Sequence, residues 1–155
     1  MELTDKTIKL LEKQGFVIVS TLTEGGAIHS VAKGIVGIEK EGKVFVIDLF
    51  KNNTYNNLKR NSNVSITAID DQSYDGYTLQ GKAKIVPRED IQDHIVAKWE
   101  DKIIERISNR MISSIQKGKR SNEHHEAKLP KHPKYLIEID VEEVIDLTAT
   151  FKDNS

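Results

Sequence analysis

The sequence contains no cysteine, which excludes disulfides, thiolate metal sites, iron–sulfur clusters and cysteine nucleophiles together. Any redox chemistry must therefore come from a borrowed group. Long apolar runs are missing too: stretches such as Val17-Ile18-Val19 and Val44-Phe45-Val46-Ile47 fall far short of the roughly 20 residues that cross a bilayer as a helix. Met1 to Lys13 alternates charges and lacks the apolar block of a secretory signal, so a soluble, cytoplasmic protein is expected. Aromatics make up only 6% of the chain and the net charge is −1. Few stacking platforms and little phosphate neutralisation argue against a nucleic-acid binder, including a barrel built to hold single strands.

What is present suits one globular domain: 155 residues, 37% apolar, with charges interspersed. The near-zero total hides an asymmetry. Lys117 to Lys134 holds six Lys or Arg against Glu123 and Glu126, whereas Glu138 to Ser155 holds six acids against Lys152.

Thr4 and Gly15 bracket a short amphipathic segment, a cap and a C-terminal glycine for a helix ending near Gln14. Phe16 to Leu22 is rich in β-branched residues. With the Thr23-Glu24-Gly25-Gly26 turn and the extended stretch Ala27 to Ile38, it reads as a hairpin. Lys43 to Phe50 is almost continuously apolar, the pattern of a strand covered on both faces. Tyr55 to Arg60 is long enough for about two helical turns. Strands are then expected over Asn63 to Ile69 and Gly76 to Val86, with Gly81 at a bend, and from Tyr135 toward Thr148. Between them Ile91, Ile95, Trp99, Ile103, Ile107, Met111 and Ile115 recur every fourth residue. Such a repeat drifts by about 40° per step on an ideal helix, which predicts a bend, two helices, or burial on more than one side. Lys117 to Pro133 has no periodicity and two prolines, and is expected to be a basic loop. Six short strands that must avoid exposed edges favour a closed barrel.

The chemically most informative segment is the passage from the third strand into Lys51-Asn52-Asn53-Thr54-Tyr55-Asn56-Asn57. A helix beginning there offers unpaired N–H groups and partial positive charge to a phosphate. Lys51 supplies a cation, and Lys33 supplies a second if the two strands are neighbours. Taken alone, the segment reads more readily as an ordinary helix cap, since residues of this kind cap most helices.

The ordered combination narrows the choice. Phe16 to Leu22, Gly25-Gly26-Ala27-Ile28-His29-Ser30, Gly42 to Ile47, Thr54 to Leu58 with Asn61 to Ile66, and Gly76 to Ala83 together resemble the FMN-binding split barrels related to pyridoxamine 5'-phosphate oxidase. The likeness covers about residues 4 to 87, with the last strand completing the barrel. It implies a mainly β fold: a six-stranded antiparallel split barrel of Greek-key type, in one domain over residues 1–155. A helical insertion is placed at about 88–117 and the basic loop at about 117–134. It further implies a homodimer with FMN at the subunit interface, and FMN contacts from Val31, Ala32, Lys33, Phe50, Lys51, Asn52, Asn53, Thr54 and Asn57.

Two departures bear on function. Many relatives carry lysine where this chain has Thr54, and the arginine- and tryptophan-containing C-terminal signature of true pyridoxamine phosphate oxidases is missing from Leu147 to Lys152. The expectation is an FMN-dependent oxidoreductase of another substrate. The alternatives are a flavin carrier or sensor, or a haem-binding or haem-degrading relative using the histidines of the C-terminal region. Trp99 either packs in the core or covers a flavin face. His124, His125 and His132, with Glu123 and Glu126, lack the convergent spacing of a metal site. Lys117, Lys119 and Arg120 read as a solvated charge run. His29 begins a strand near the implied flavin and is given no catalytic role.

Overall fold

The computed structural model describes residues 1–49, 52–116 and 133–148. Helix α1, Asp5–Gln14, starts where the Thr4 hydroxyl accepts the Thr7 amide at 3.2 Å and ends at Gly15, whose φ of 71° suits a glycine. Its Leu10 and Leu11 are buried.

The strands are β1 (Phe16–Leu22), β2 (Ile28–Glu39), β3 (Lys43–Val46), β4 (Asn63–Ile69), β5 (Gly76–Pro87) and β6 (Tyr135–Asp146). Helix α2, Asn53–Arg60, joins β3 to β4. A 3-10 turn, Arg88–Asp90, and helix α3, Asp93–Gln116, lie between β5 and β6. All neighbouring strands are antiparallel and close into a barrel in the order β1-β2-β3-β6-β5-β4, with Ile18, Val19 and Ser20 of β1 opposite Thr67, Ile66 and Ser65 of β4. Closure removes the sheet edges that an open arrangement would expose. The β5–β6 register shifts between Gln80 and Gly81, and a Cβ at Gly81 would stand 1.9 Å from the Asp140 carbonyl oxygen. Only glycine fits that bulge.

Two apolar clusters share the strands. Inside the barrel, Val17, Val19, Val44, Val46, Ile66, Leu79, Ile137 and Ile139 pack with Leu11 of α1 and Leu58 of α2. Outside it, Val36, Phe45, Ile47 and Leu136 receive Ile91, Ile95, Trp99 and Ile103. Strand β3 is thus covered on both faces, as its apolar run predicts. It is shorter than the expected Lys43 to Phe50, because the pairing with β6 ends at Val46 opposite Ile137 and the chain turns away to deliver Asp48.

The four-residue repeat resolves differently from the expectation. A single helix carries it, and only its first half lies on the barrel: Ile95, Trp99 and Ile103 are buried, whereas Met111, Ile112 and Ile115 are exposed. The drift of the stripe takes the second half off the surface it starts on. No helix among the described residues is long and apolar enough to cross a membrane.

Candidate functional site

The register of β1 with β2 sets what each residue of the latter can do. Val31 and Lys33 pair with Val19 and Val17, which line the barrel interior, while Ala32 pairs with the half-exposed Ile18 on the outer face. Cross-strand partners share a face. Lys33 therefore projects toward the interior side, where its ammonium meets the Asp48 carboxylate at 2.7 Å. The Tyr135 hydroxyl, from the first residue of β6, donates to the other oxygen of Asp48 at 2.7 Å. That carboxylate has no solvent exposure, and a buried charge is tolerable only when partnered in this way. Burial, and then the bond to Asp48, push the Tyr135 phenol well above its ordinary pKa. Its ring meets Tyr55 of α2 edge-on, with centroids 5.0 Å apart. One carboxylate thus gathers β2, β3 and β6, and Tyr135 extends the contact to α2.

Helix α2 stands beside this cluster. Its buried side is held by Leu58 in the core, by Asn57, whose Nδ2 donates to the Thr21 hydroxyl at 3.1 Å, and by an Arg60 bond to the Leu22 carbonyl. At its start, Asn52 and Asn53 are exposed, and the Asn52 side chain makes no capping bond. The first-turn amides are then not satisfied by the cap residue, and the helix dipole adds partial positive charge there. This donor set fits a phosphate: neutral N–H groups and exposed carboxamides, all able to donate to an anion.

The structure revises several sequence expectations. Lys33 does lie on a strand next to β3, but its charge is engaged by Asp48, so it is no spare cation for a phosphate. Thr54 is only 2% exposed and Asn57 is committed to Thr21, so the exposed side chains at the start of α2 are those of Asn52, Asn53 and Asn56, with Lys59 and Arg60 exposed at its end. Trp99 is 1% exposed among Ile95, Ile103 and Phe45, so it is a core side chain and presents no face to a flavin. Phe50 and Lys51 fall outside the described residues, as do Lys117, Lys119, Arg120 and the histidines at 124, 125 and 132.

Sequence reasoning passed over Asp48, Tyr135 and Tyr55. The signal was a lone carboxylate inside the apolar run from Val44 to Phe50, which a buried strand end tolerates only with partners. A cavity of about 460 Å³ lies away from this cluster, on the side of β1, β4, β5 and β6 that includes Ser65, Gln80, Lys82 and Glu143. It touches the α2 anchor through Thr21 and Leu22. The Lys33–Asp48 cluster carries the functional reading, because its carboxylate is fully buried and Tyr135 links it to Tyr55 in the first turn of α2.

The sequence and the fold both have counterparts among known proteins. The family model described as pyridoxamine 5'-phosphate oxidase matches residues 3–148. No curated protein sequence matches the chain. Among solved structures, a pyridoxamine 5'-phosphate oxidase-related, FMN-binding protein from Nostoc punctiforme superposes with a TM-score of 0.64 at 12% identity, over 91% of this chain and 79% of that one. HupZ from Group A Streptococcus gives 0.63 at 15% identity over 95% of both chains. A candidate pyridoxamine 5'-phosphate oxidase from Lactobacillus delbrueckii gives 0.59 at 18% identity over 93% of both. At these identities the likeness establishes the fold alone.

Proposed function

The chain belongs to the pyridoxamine 5'-phosphate oxidase family, and from that premise we propose that it is an FMN-binding flavoprotein, an oxidoreductase acting on a substrate other than pyridoxamine phosphate. The observation that carries this reading is the start of α2, with no side-chain cap at Asn52, set beside a desolvated Lys33–Asp48–Tyr135 cluster. In this reading the amides of Asn53 and Thr54 and the carboxamides of Asn52 and Asn53 hold the phosphate; the contacts proposed for Phe50 and Lys51 lie outside the described residues. Val31, Ala32 and Lys33 run along the ring edge, and the bound flavin supplies the two-electron chemistry. The protein's share is to orient that ring and to hold a fixed donor at its edge, so no side chain is needed as a nucleophile.

A homodimer is part of the proposal. Phe16, Ile18 and Ile28 are exposed apolar side chains on β1 and β2, and a second copy covering that face would close a ring that one small barrel leaves open. A cytoplasmic location goes with it. True pyridoxamine phosphate oxidase activity is not proposed, since Leu147 to Lys152 do not carry the arginine- and tryptophan-containing signature that it would call for.

The absorbance spectrum of the purified protein, followed by titration with FMN, tests the reading. A flavin spectrum, or saturable quenching of FMN fluorescence at micromolar protein, is the expected result. A Soret-dominated spectrum would instead identify a haem protein, and an absence of binding would remove the flavin proposal. Saturable oxidation of a reduced nicotinamide separates an enzyme from a bare carrier.

A further inference from the structure

Resting on the flavin pocket proposed above, we infer that Asp48 is a charge-compensating, positioning residue: it fixes the Lys33 ammonium beside the β3–α2 turn and cancels its charge, so that a ligand meets a rigid N–H donor in place of a free cation. The Lys33 and Asp48 side chains are 15% and 0% exposed, with 2.7 Å between ammonium and carboxylate. Asp48 takes a second bond from Tyr135, 87 residues away in sequence, so its position is set from two strands at once. An ammonium has three hydrogens, and the bond to Asp48 uses one of them. Lys33 can therefore still donate to a polar atom of a ligand, though its Coulomb field is largely spent.

The consequence is a division of labour. Among the described residues, the terminal anion of the ligand is met by the neutral donors at the start of α2, and the electron-rich ring edge by a neutralised ion pair.

Asp48→Asn keeps an acceptor for Tyr135 in nearly the same volume and removes the negative charge. Fluorescence titration of this variant with FMN should show affinity raised by about 5- to 10-fold at low salt, with the gain largely lost at roughly 0.5 M salt, since an unmasked cation attracts the dianion until it is screened. A residue that only holds the fold together would give the opposite result: weaker binding at both salt concentrations with a lowered melting temperature. That outcome, or an unchanged affinity, overturns the inference.

Amine labelling of the ligand-free protein, read by mass spectrometry, gives a second and flavin-independent readout. In the wild-type protein Lys33 should react about tenfold more slowly than the exposed Lys9 and Lys98, because a partly buried, carboxylate-bound ammonium is shielded from the reagent. The difference should shrink in Asp48→Asn. If the wild-type protein fails to bind FMN, the flavin proposal falls, while slow labelling still supports the Asp48 assignment and fast labelling overturns it. Should Asp48→Asn fail to fold, the wild-type labelling decides in the same way.

Discussion

Asn57 of α2 donates to the Thr21 hydroxyl of β1 at 3.1 Å, with both residues buried. The bond fastens the helix that presents the proposed phosphate donors to the strand that faces β2. Asn57→Ala strands the Thr21 hydroxyl in the interior, which costs about 1–3 kcal/mol. Urea denaturation should show that loss, and FMN affinity should fall as the helix start loses its fixed place. An Asn57→Ala protein as stable as wild type would contradict the anchoring role.

Tyr135 gives a pH dependence with a definite sign. Burial and the Asp48 carboxylate raise the folded-state pKa of the phenol above its ordinary value. The stability gained from keeping it protonated is therefore full below about pH 10, the unfolded value, and is lost as pH rises beyond it. Absorbance near 295 nm should show a tyrosine component that ionises only with unfolding, and Tyr135→Phe should reduce that component. The same substitution should lower stability by about 1–3 kcal/mol, since the buried Asp48 carboxylate loses a donor. Free titration of all four tyrosines in the folded protein, out of the four in the sequence, would contradict this.

The Lys13–Asp70 pair gives the acid counterpart. Lys13 lies 2.6 Å from Asp70, and the bonds from Lys13 and from the Gln72 amide hold the Asp70 carboxyl below the usual carboxylate range. The contribution of that carboxylate is present above about pH 4, the unfolded value, and disappears as pH falls through the lower folded value. Asp70→Asn should melt earlier than wild type at pH 7, and the gap should close toward pH 2. A gap that persists there would assign the effect to the turn geometry instead of the charge.

Trp99 tests the second core. Truncation to alanine should cost about 3–5 kcal/mol, the usual range for a large buried aromatic. The tryptophan emission of the folded protein should be blue-shifted, in keeping with its 1% exposure. An emission maximum typical of solvated indole would show that the helix does not seat as described.

How far the sequence speaks depends on the range over which each interaction acts. The boundaries of α1 are legible because Thr4 and Gly15 act within a turn of the helix they delimit. The bend at Gly81 is legible because glycine alone among the residues tolerates that close approach. Asp48 is different: its partners lie 15 and 87 residues away, and nothing local in the apolar run announces them. The apolar spacing of α3 shows a helix, but whether each turn meets the barrel depends on where β2, β3 and β6 present their outer faces. For the same reason Trp99 could be weighed between two roles in sequence and is placed by contacts alone.

The proposed phosphate site is tested most directly by following backbone amide resonances while FMN is added. The account predicts the largest and saturable shifts at Asn53, Thr54 and Tyr55, with smaller changes at Lys33 and its neighbours on β2. Shifts confined to Ser65, Gln80 and Lys82, or none at all, would contradict it.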